Sequence, residues 1–134
     1  MSESEPRQHT AVWIDEHKAH VFRVDAETHT EATIHAPEHT PRHPRGQAQP
    51  HNHPDDEHRF FAAVAESLRG SSPVLVLGPA QEKLHFRDYV TAHASTLGFV
   101  IAGIETVDHP TDNQVAALVR KYFLPKGAQQ AQPH

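Results

Sequence analysis

A chain of 134 residues has the usual length of one domain, so we expect one modest hydrophobic core. The absence of cysteine excludes disulfides, thiolate catalysis and cysteine-based zinc or iron–sulfur sites. Twelve Lys and Arg against 17 Asp and Glu give a formal net charge of -5 with neutral histidines, which is not the charge of a typical nucleic-acid-binding domain.

The ends of the chain are polar. Residues 1–8 lack the apolar segment of a signal peptide, and no apolar run approaches the roughly 18 residues of a membrane span. We therefore expect a cytoplasmic protein that does not act at a membrane. Its expected organisation is a flexible N-terminus over residues 1–9, a folded domain over 10–124 and a disordered tail over 125–134.

The first part of the chain predicts three antiparallel strands. β-branched and aromatic residues run over 11–15 and 19–24 around a short polar turn, which is typical of a hairpin. Residues 28–35 alternate polar residues with Thr and Ile and predict a third, half-solvated strand that extends the hairpin.

Residues 37–54 predict a long loop. Proline lacks the backbone N–H and fixes φ, so this segment is incompatible with a sheet ladder or a helix. A loop of this length in a compact domain is usually functional or disordered. From residue 39 to residue 54 it contains Arg42, Arg45 and four histidines but no carboxylate, which makes it a locally basic segment. Its prolines are Pro37, Pro41, Pro44, Pro50 and Pro54.

A helix follows the loop. Asp55 or Asp56 is predicted to cap it and Gly70 to end it. Its apolar residues fall on one face and are predicted to lie in the core. They are Phe60, Phe61, Val64, Ala65 and Leu68.

The remainder predicts alternating strands and helices. Residues 73–79 form a continuous apolar run typical of a strand buried on both faces, a helix is expected over 80–95, and 99–107 predict another buried strand. Thr111 and Gln114 form a capping-box pattern that opens the last helix. The predicted inner face of that helix comprises Val115, Leu118, Val119 and Tyr122.

This order predicts a single α/β domain with a mixed sheet, in which an antiparallel first half is followed by right-handed crossovers. The order of elements is β-β-β-α-β-α-β-α. Ribonuclease-H-like domains have this general layout, but layout alone does not identify a function.

Three features taken together are more specific. They are the hairpin over 11–24, the proline-rich loop that leads into the helix of Phe60, Phe61 and Val64, and the strand–turn–helix over 75–83. On these features the chain resembles the middle domain of archaeal and eukaryotic class-1 peptide-chain release factors, and similar bacterial stand-alone proteins, over roughly residues 11–123. In that family a strand ends in a glycine-containing turn before a helix with an early lysine, and the long loop carries Gly-Gly-Gln.

The loop of this chain departs from the family pattern at one position. Pro44-Arg45-Gly46-Gln47 stands where Gly-Gly-Gln is expected, so Gly46 and Gln47 match and Arg45 replaces the first glycine. In the release factors this loop enters the peptidyl-transferase centre, and backbone groups beside the glutamine help to position water against the peptidyl ester. That chemistry requires a permissive backbone whose N–H groups approach an oxyanion. Arg45 restricts φ and adds bulk, so we expect no catalysis.

The resemblance implies a translation-associated, ribosome-binding factor of a rescue, termination-like or hibernation type. Its proline-rich loop would contact rRNA or the tRNA acceptor end, with Arg42, Arg45 and Lys83 as RNA-binding residues, since cationic side chains pair with phosphate. A chain of this length is not expected both to read a stop codon and to reach the distant ester, which argues against an ordinary termination factor. The alternative is a peptidyl-tRNA hydrolase that uses Gly46 and Gln47.

Lys83 also has a simpler interpretation, as a solvated lysine at a strand-to-helix turn. The start of that helix could bind phosphate through its free N–H groups. The surrounding residues do not match a Walker A motif, so nucleotide hydrolysis is not predicted.

The histidines and carboxylates suggest two weaker hypotheses. No cofactor and no metal ligand set is predicted, because the loop histidines His39, His43, His51 and His53 have no cysteine partner and the prolines exclude a helix that would align them. His20 and His85 are expected to be ordinary surface histidines within regular elements. A metal-dependent nuclease of ribonuclease-H-like layout would need Asp15, Glu31 and Asp108 to converge, whereas Asp15 alone would simply begin the hairpin turn.

Overall fold

The computed structural model describes residues 8–37, 54–71 and 73–123, which form a five-stranded mixed sheet flanked by four helices. The strands are β1 (His9–Ile14), β2 (Lys18–Val24), β3 (His29–His35), β4 (Val74–Gly78) and β5 (Ile101–Thr106). The helices are α1 (Pro54–Ser67), α2 (Glu82–Ala92), the short α3 (Ala94–Leu97) and α4 (Asp112–Phe123).

The sheet has the order β3-β2-β1-β4-β5. β1 pairs with β2 and β2 with β3 in antiparallel fashion, whereas β1 with β4 and β4 with β5 are parallel. The predicted mixed sheet with an antiparallel first half is therefore confirmed. These directions bring the carboxyl ends of β1, β3, β4 and β5 to the same side of the sheet, which we call the carboxyl edge.

Two hydrophobic clusters cover the two faces of the sheet. Strand β4 contributes to both clusters, because all five of its residues are buried and successive side chains of a strand point to opposite faces. Val74 and Val76 pack with α1 and α2, while Leu75 and Leu77 pack with α4. A strand between two helical layers must be apolar on both faces, which accounts for the continuous apolar run in the sequence.

Helix α1 confirms the predicted inner face. The five apolar residues predicted for the core are all buried. The helix begins at Pro54, however, so Asp55 and Asp56 lie in its first turn and are not capping residues that precede it. Proline is favoured at the first position of a helix because its missing N–H would have no intrahelical acceptor there. Gly70, with φ +81°, follows the helix as predicted.

The helix predicted over 80–95 is shorter at its start and is interrupted near its end. A turn over residues 79–81 precedes α2, which begins at Glu82, and His93 separates α2 from α3. Gly98 ends α3 with φ +77°, a conformation that glycine adopts without steric cost.

Helix α4 opens with the predicted capping box. The Thr111 N–H donates to Gln114 Oε1 at 2.9 Å, and the Gln114 N–H donates to Thr111 Oγ1 at 3.1 Å. Of the predicted inner face, Val115 and Val119 are buried, and Leu118 and Tyr122 are half-buried against the same cluster.

The predicted flexible N-terminus lies mainly outside the described residues, although His9 already belongs to β1, where it pairs with Val24 and its ring stacks on Phe123. The predicted tail over 125–134 lies entirely outside them, as does most of the loop. Within the described ranges no helix combines the length and apolar content required to cross a membrane.

Candidate functional site at the carboxyl edge of the sheet

The hairpin turn after β1 and the end of β3 lie together at the carboxyl edge. The Asp15 carboxylate accepts the backbone N–H groups of His17 at 2.7 Å and Lys18 at 3.0 Å, which fixes the turn. The His17 carbonyl in turn accepts the Ala36 N–H at 2.8 Å. The last described residues before the gap at 38–53 are therefore held against this turn.

Helices α1 and α2 both begin at the same edge. The carboxyl end of α1 leads into the start of β4, so its first turn lies at the opposite side of the sheet, where the strands end. α2 begins directly after the turn that follows β4. The segment 38–53 thus leaves β3 and enters α1 at one edge, which is also where open α/β sheets usually bind their ligands.

The turn between β4 and α2 encloses Lys83. Its side chain is buried, with the residue only 6% exposed, and the ammonium donates a hydrogen bond to the Ala80 carbonyl oxygen. The interpretation of Lys83 as a solvated surface lysine is therefore wrong. The prediction that Lys83 binds RNA stays a prediction. In this conformation the ammonium is hydrogen-bonded within the turn, to the Ala80 carbonyl oxygen.

Three ligand-type side chains converge beside this turn. His85 Nδ1 lies 3.2 Å from Glu82 Oε1 and 3.5 Å from Glu57 Oε2. Each residue offers an atom within 4.8 Å of those of the other two. Glu57 belongs to the first turn of α1, whereas Glu82 and His85 occupy the first turn of α2 at a spacing of three residues, so the group joins the starts of two helices.

Glu82 is the most buried member of the group. Its side chain is 9% exposed, against 30% for Glu57 and 54% for His85. Burial, with the Glu57 carboxylate beside it, raises the pKa of Glu82 from the ordinary 4.5 to about 7, and His85 opposes this change. The carboxyl group of Glu82 therefore lies in a partly desolvated place beside the Glu57 carboxylate.

A cavity of about 260 Å³ opens beside these residues at the carboxyl edge. On one side it is lined by the hairpin turn and on the other by the start of α2. Its lining residues are Asp15, Glu16, His17, Ala80, Gln81, Glu82 and His85. The cavity wall includes three carboxylate side chains, those of Asp15, Glu16 and Glu82, and the cavity gives solvent access to Glu82 and His85.

Most of the site residues predicted from the resemblance belong to the segment 38–53, which the structure does not describe. Arg42, Arg45, Gly46 and Gln47 lie outside the described residues, as do the four loop histidines. What the structure contributes is the position of the two attachment points of their segment, at Pro37 and Pro54, on the carboxyl edge.

The acids of the nuclease hypothesis do not meet within the described part of the chain. Asp15 holds the hairpin turn, and Glu31 Oε2 lies 2.5 Å from His20 Nδ1 across β2 and β3. Asp108 follows β5, with its side chain 87% exposed. In residues 8–37, 54–71 and 73–123 the three do not form a group that could hold a metal ion, so the described geometry does not support this hypothesis.

A second, smaller depression of about 90 Å³ lies on the α4 side of the sheet. Trp13 forms its floor, with its indole N–H donating to the carbonyl oxygens of Val107 at 3.2 Å and Asp108 at 3.1 Å. The rings of His20 and His109 lie 5.7 Å and 5.2 Å from the Trp13 ring. Because these aromatic groups contact one another, the depression is better explained as packing than as a ligand site.

Sequence reasoning missed the group of Glu57, Glu82 and His85. It treated His85 as an ordinary surface histidine and did not single out either glutamate. The spacing of Glu82 and His85 on one helical face was a usable signal. The approach of Glu57 was not, because it depends on how α1 packs against α2.

Comparisons with known proteins bear on the fold. No protein-family model matches the chain, and a search of curated proteins finds no match either. Among solved structures the chain is similar to Pelota from Thermoplasma acidophilum, with a TM-score of 0.58 and 17% identity over 96% of this chain and 36% of that one. It is also similar to Pelota from Archaeoglobus fulgidus, whose crystal structure reveals inter-domain plasticity, with a TM-score of 0.56 and 14% identity over 96% and 35% of the two chains.

The chain thus spans about a third of the length of these Pelota proteins and has the fold of that part of them. The single α/β domain with a five-stranded mixed sheet agrees with these neighbours. At 14–17% identity the likeness establishes the fold alone.

Proposed function

We propose that this chain is a translation-associated factor that binds the ribosome without catalysing peptide release. The observation that carries the proposal is the structural similarity to release-factor-like Pelota over 96% of the chain. The proposal covers a factor of the rescue, termination-like or hibernation type.

The segment that would contact RNA is the one linking β3 to α1. The described residues on either side of it, Pro37 and Pro54, both lie at the carboxyl edge, which supports a contact made by that side of the domain. The segment carries Arg42 and Arg45 and, after Glu38, no carboxylate. Arginine pairs with phosphate in bidentate fashion, so these two side chains would contact rRNA or the tRNA acceptor end in a cytoplasmic setting.

The test is co-sedimentation of the purified chain with ribosomes at several salt concentrations. Replacing Arg42 and Arg45 together by alanine is expected to weaken binding and to reduce the slope of log affinity against log salt by roughly one to two, about one for each lost phosphate contact. The matched control replaces Arg69 and Arg87, two exposed arginines that pair with neighbouring acids on the helices.

An equal loss of ribosome affinity in both double variants would show that binding depends on the overall charge of the chain and not on the segment 38–53. Absence of co-sedimentation at low salt would remove the ribosome from the proposal. Peptidyl-tRNA hydrolysis by Gly46 and Gln47 is the second candidate, supported by their match to the family motif.

A further inference from the structure

We propose that Glu57, Glu82 and His85 form a binding site for a divalent transition-metal ion of the Zn²⁺ type, which would link the first turn of α1 to the first turn of α2. This site is independent of ribosome binding and of the loop residues discussed above. It is argued from the geometry, charge and chemistry of the three side chains.

The geometry already approaches that of a coordination shell. In a tetrahedral zinc site with ligand bonds of about 2.0–2.2 Å, neighbouring ligand atoms lie roughly 3.4 Å apart. His85 Nδ1 lies 3.2 Å from Glu82 Oε1 and 3.5 Å from Glu57 Oε2. The third pair of ligand atoms, on Glu57 and Glu82, lies within 4.8 Å, so rotation of these side chains would bring the three atoms around one ion.

The charge of the group is uncompensated. Among the described residues, neither Glu57 nor Glu82 forms an ion pair with Lys or Arg, and His85 is the shared partner of both carboxylates. The neighbouring Lys83 ammonium donates a hydrogen bond to the Ala80 carbonyl oxygen. Holding two carboxylates together, one of them nine-tenths buried, costs free energy unless a proton or a cation lies between them.

The ligand types select the ion. Two carboxylate oxygens with one imidazole nitrogen and no thiolate suit Zn²⁺ and, less tightly, Mn²⁺, whereas Mg²⁺ and Ca²⁺ prefer all-oxygen shells. Three protein ligands leave one tetrahedral position open. The cavity of about 260 Å³ beside Glu82 and His85 gives that position access to water or to another ligand.

The experiment must separate this site from the loop histidines, because each imidazole is itself a possible zinc ligand. We would therefore use a background in which His39, His43, His51 and His53 are alanine, strip it with chelator and titrate it with ZnCl₂ in a calorimeter. The expected result is one ion per chain. Glu82→Gln and His85→Ala are each expected to weaken binding at least tenfold, since loss of even an outer-shell partner costs about 10–100-fold.

Matched controls replace an acid and a histidine elsewhere. Glu66→Gln and His109→Ala remove exposed groups at the end of α1 and before α4, and both should leave the affinity for Zn²⁺ unchanged. Amide NMR shifts on addition of ZnCl₂ should be confined to the first turns of α1 and α2 and to the adjoining turn of Ala80 and Gln81.

Two results would overturn the proposal: no stoichiometric uptake of Zn²⁺ by the four-histidine background, or the same affinity in His85→Ala as in that background. The outcome does not depend on Glu82→Gln folding, which circular dichroism would check. His85 is about half exposed, so its replacement removes a ligand with little effect on the core.

Discussion

Gly78, the last residue of β4, lies directly against the carbonyl oxygen of Ile14 at the end of β1. A β-carbon at position 78 would come within 2.5 Å of that oxygen and 3.4 Å of the Lys83 β-carbon. The obstacle is backbone inside a parallel strand pair, so it cannot rotate away. Glycine is required here because two chains approach closely, and the start of α2 takes its position from that approach.

We predict that Gly78→Ala lowers the free energy of unfolding by about 1–3 kcal/mol, the usual cost of overpacking a close-packed interior. Urea denaturation followed by circular dichroism would measure it. Gly103→Ala is the comparison, because the nearest obstacle there is the Tyr122 hydroxyl at the tip of a side chain. In a Tyr122→Phe background the cost at 103 should shrink, whereas the cost at 78 should not. A neutral Gly78→Ala would mean that β1 and β4 can separate freely.

Ionisation of Glu82 should make the free energy of unfolding depend on pH. Its folded-state pKa of about 7 lies above the ordinary 4.5, so its contribution to stability is complete below about pH 4.5 and is lost as the pH rises through 7. Glu82→Gln cannot ionise. In metal-free buffer this variant should therefore gain stability relative to the native chain at pH 8.5 and show little difference at pH 4.5.

Thermal unfolding at the two pH values would measure this difference. Glu66→Gln is the matched control, because its carboxylate is exposed and pairs with Arg69 at the surface. If Glu82→Gln changes the stability by the same amount at both pH values, the carboxyl group of Glu82 is not desolvated as described.

Trp13 should stabilise the fold on the face of the sheet that packs against α4. Its ring is 3% exposed, and its indole N–H holds the chain after β5 through the Val107 and Asp108 carbonyl oxygens. Trp13→Phe leaves these acceptors without that donor and leaves a gap, so we expect a loss of about 2–4 kcal/mol in the free energy of unfolding. Tyr122→Phe removes one solvent-exposed hydrogen bond, to the Ala102 carbonyl oxygen, and should lower the free energy of unfolding distinctly less. Similar losses in the two variants would contradict this assignment.

Catalysis can be tested at Arg45. We expect the native chain to release no peptide above background from ribosomes that carry peptidyl-tRNA, because Arg45 stands where the family has the glycine that frees the backbone. The informative variants are Arg45→Gly, which restores Gly-Gly-Gln, and Gln47→Ala. Gain of release by Arg45→Gly alone would show that the loop reaches the ester. Release by the native chain that Gln47→Ala slows would establish the hydrolase in place of the non-catalytic factor.

Chelation should leave the fold intact. The two hydrophobic clusters span both faces of the sheet and contain no metal ligand, so the core does not depend on an ion. A metal bound at the carboxyl edge would add to stability by mass action, with an effect that grows with ion concentration. Differential scanning calorimetry in excess chelator should still show one cooperative transition. A chain that is unfolded at 25 °C in chelator would contradict this prediction.

The sequence alone was enough to predict the order of elements, because local patterns carry it. The apolar run of β4, the five-residue core face of α1 and the Thr111–Gln114 capping box each lie within a few adjacent residues, and each is observed as predicted. Boundaries were less predictable, as the start of α1 at Pro54 and the break at His93 show, because adjacent residues compete for the same role at a helix end.

The tertiary structure alone decided what meets at the carboxyl edge. The sequence predicts Lys83 as a surface cation, yet it is buried in the turn that follows Gly78, where Gly78 lies close to both Ile14 and Lys83. Glu57 and His85 are unremarkable in their own helices, and they meet because α1 and α2 pack side by side on one face of the sheet. Periodicity specifies which face of each helix is buried, but the alignment of two helix starts depends on long-range packing that no local pattern encodes.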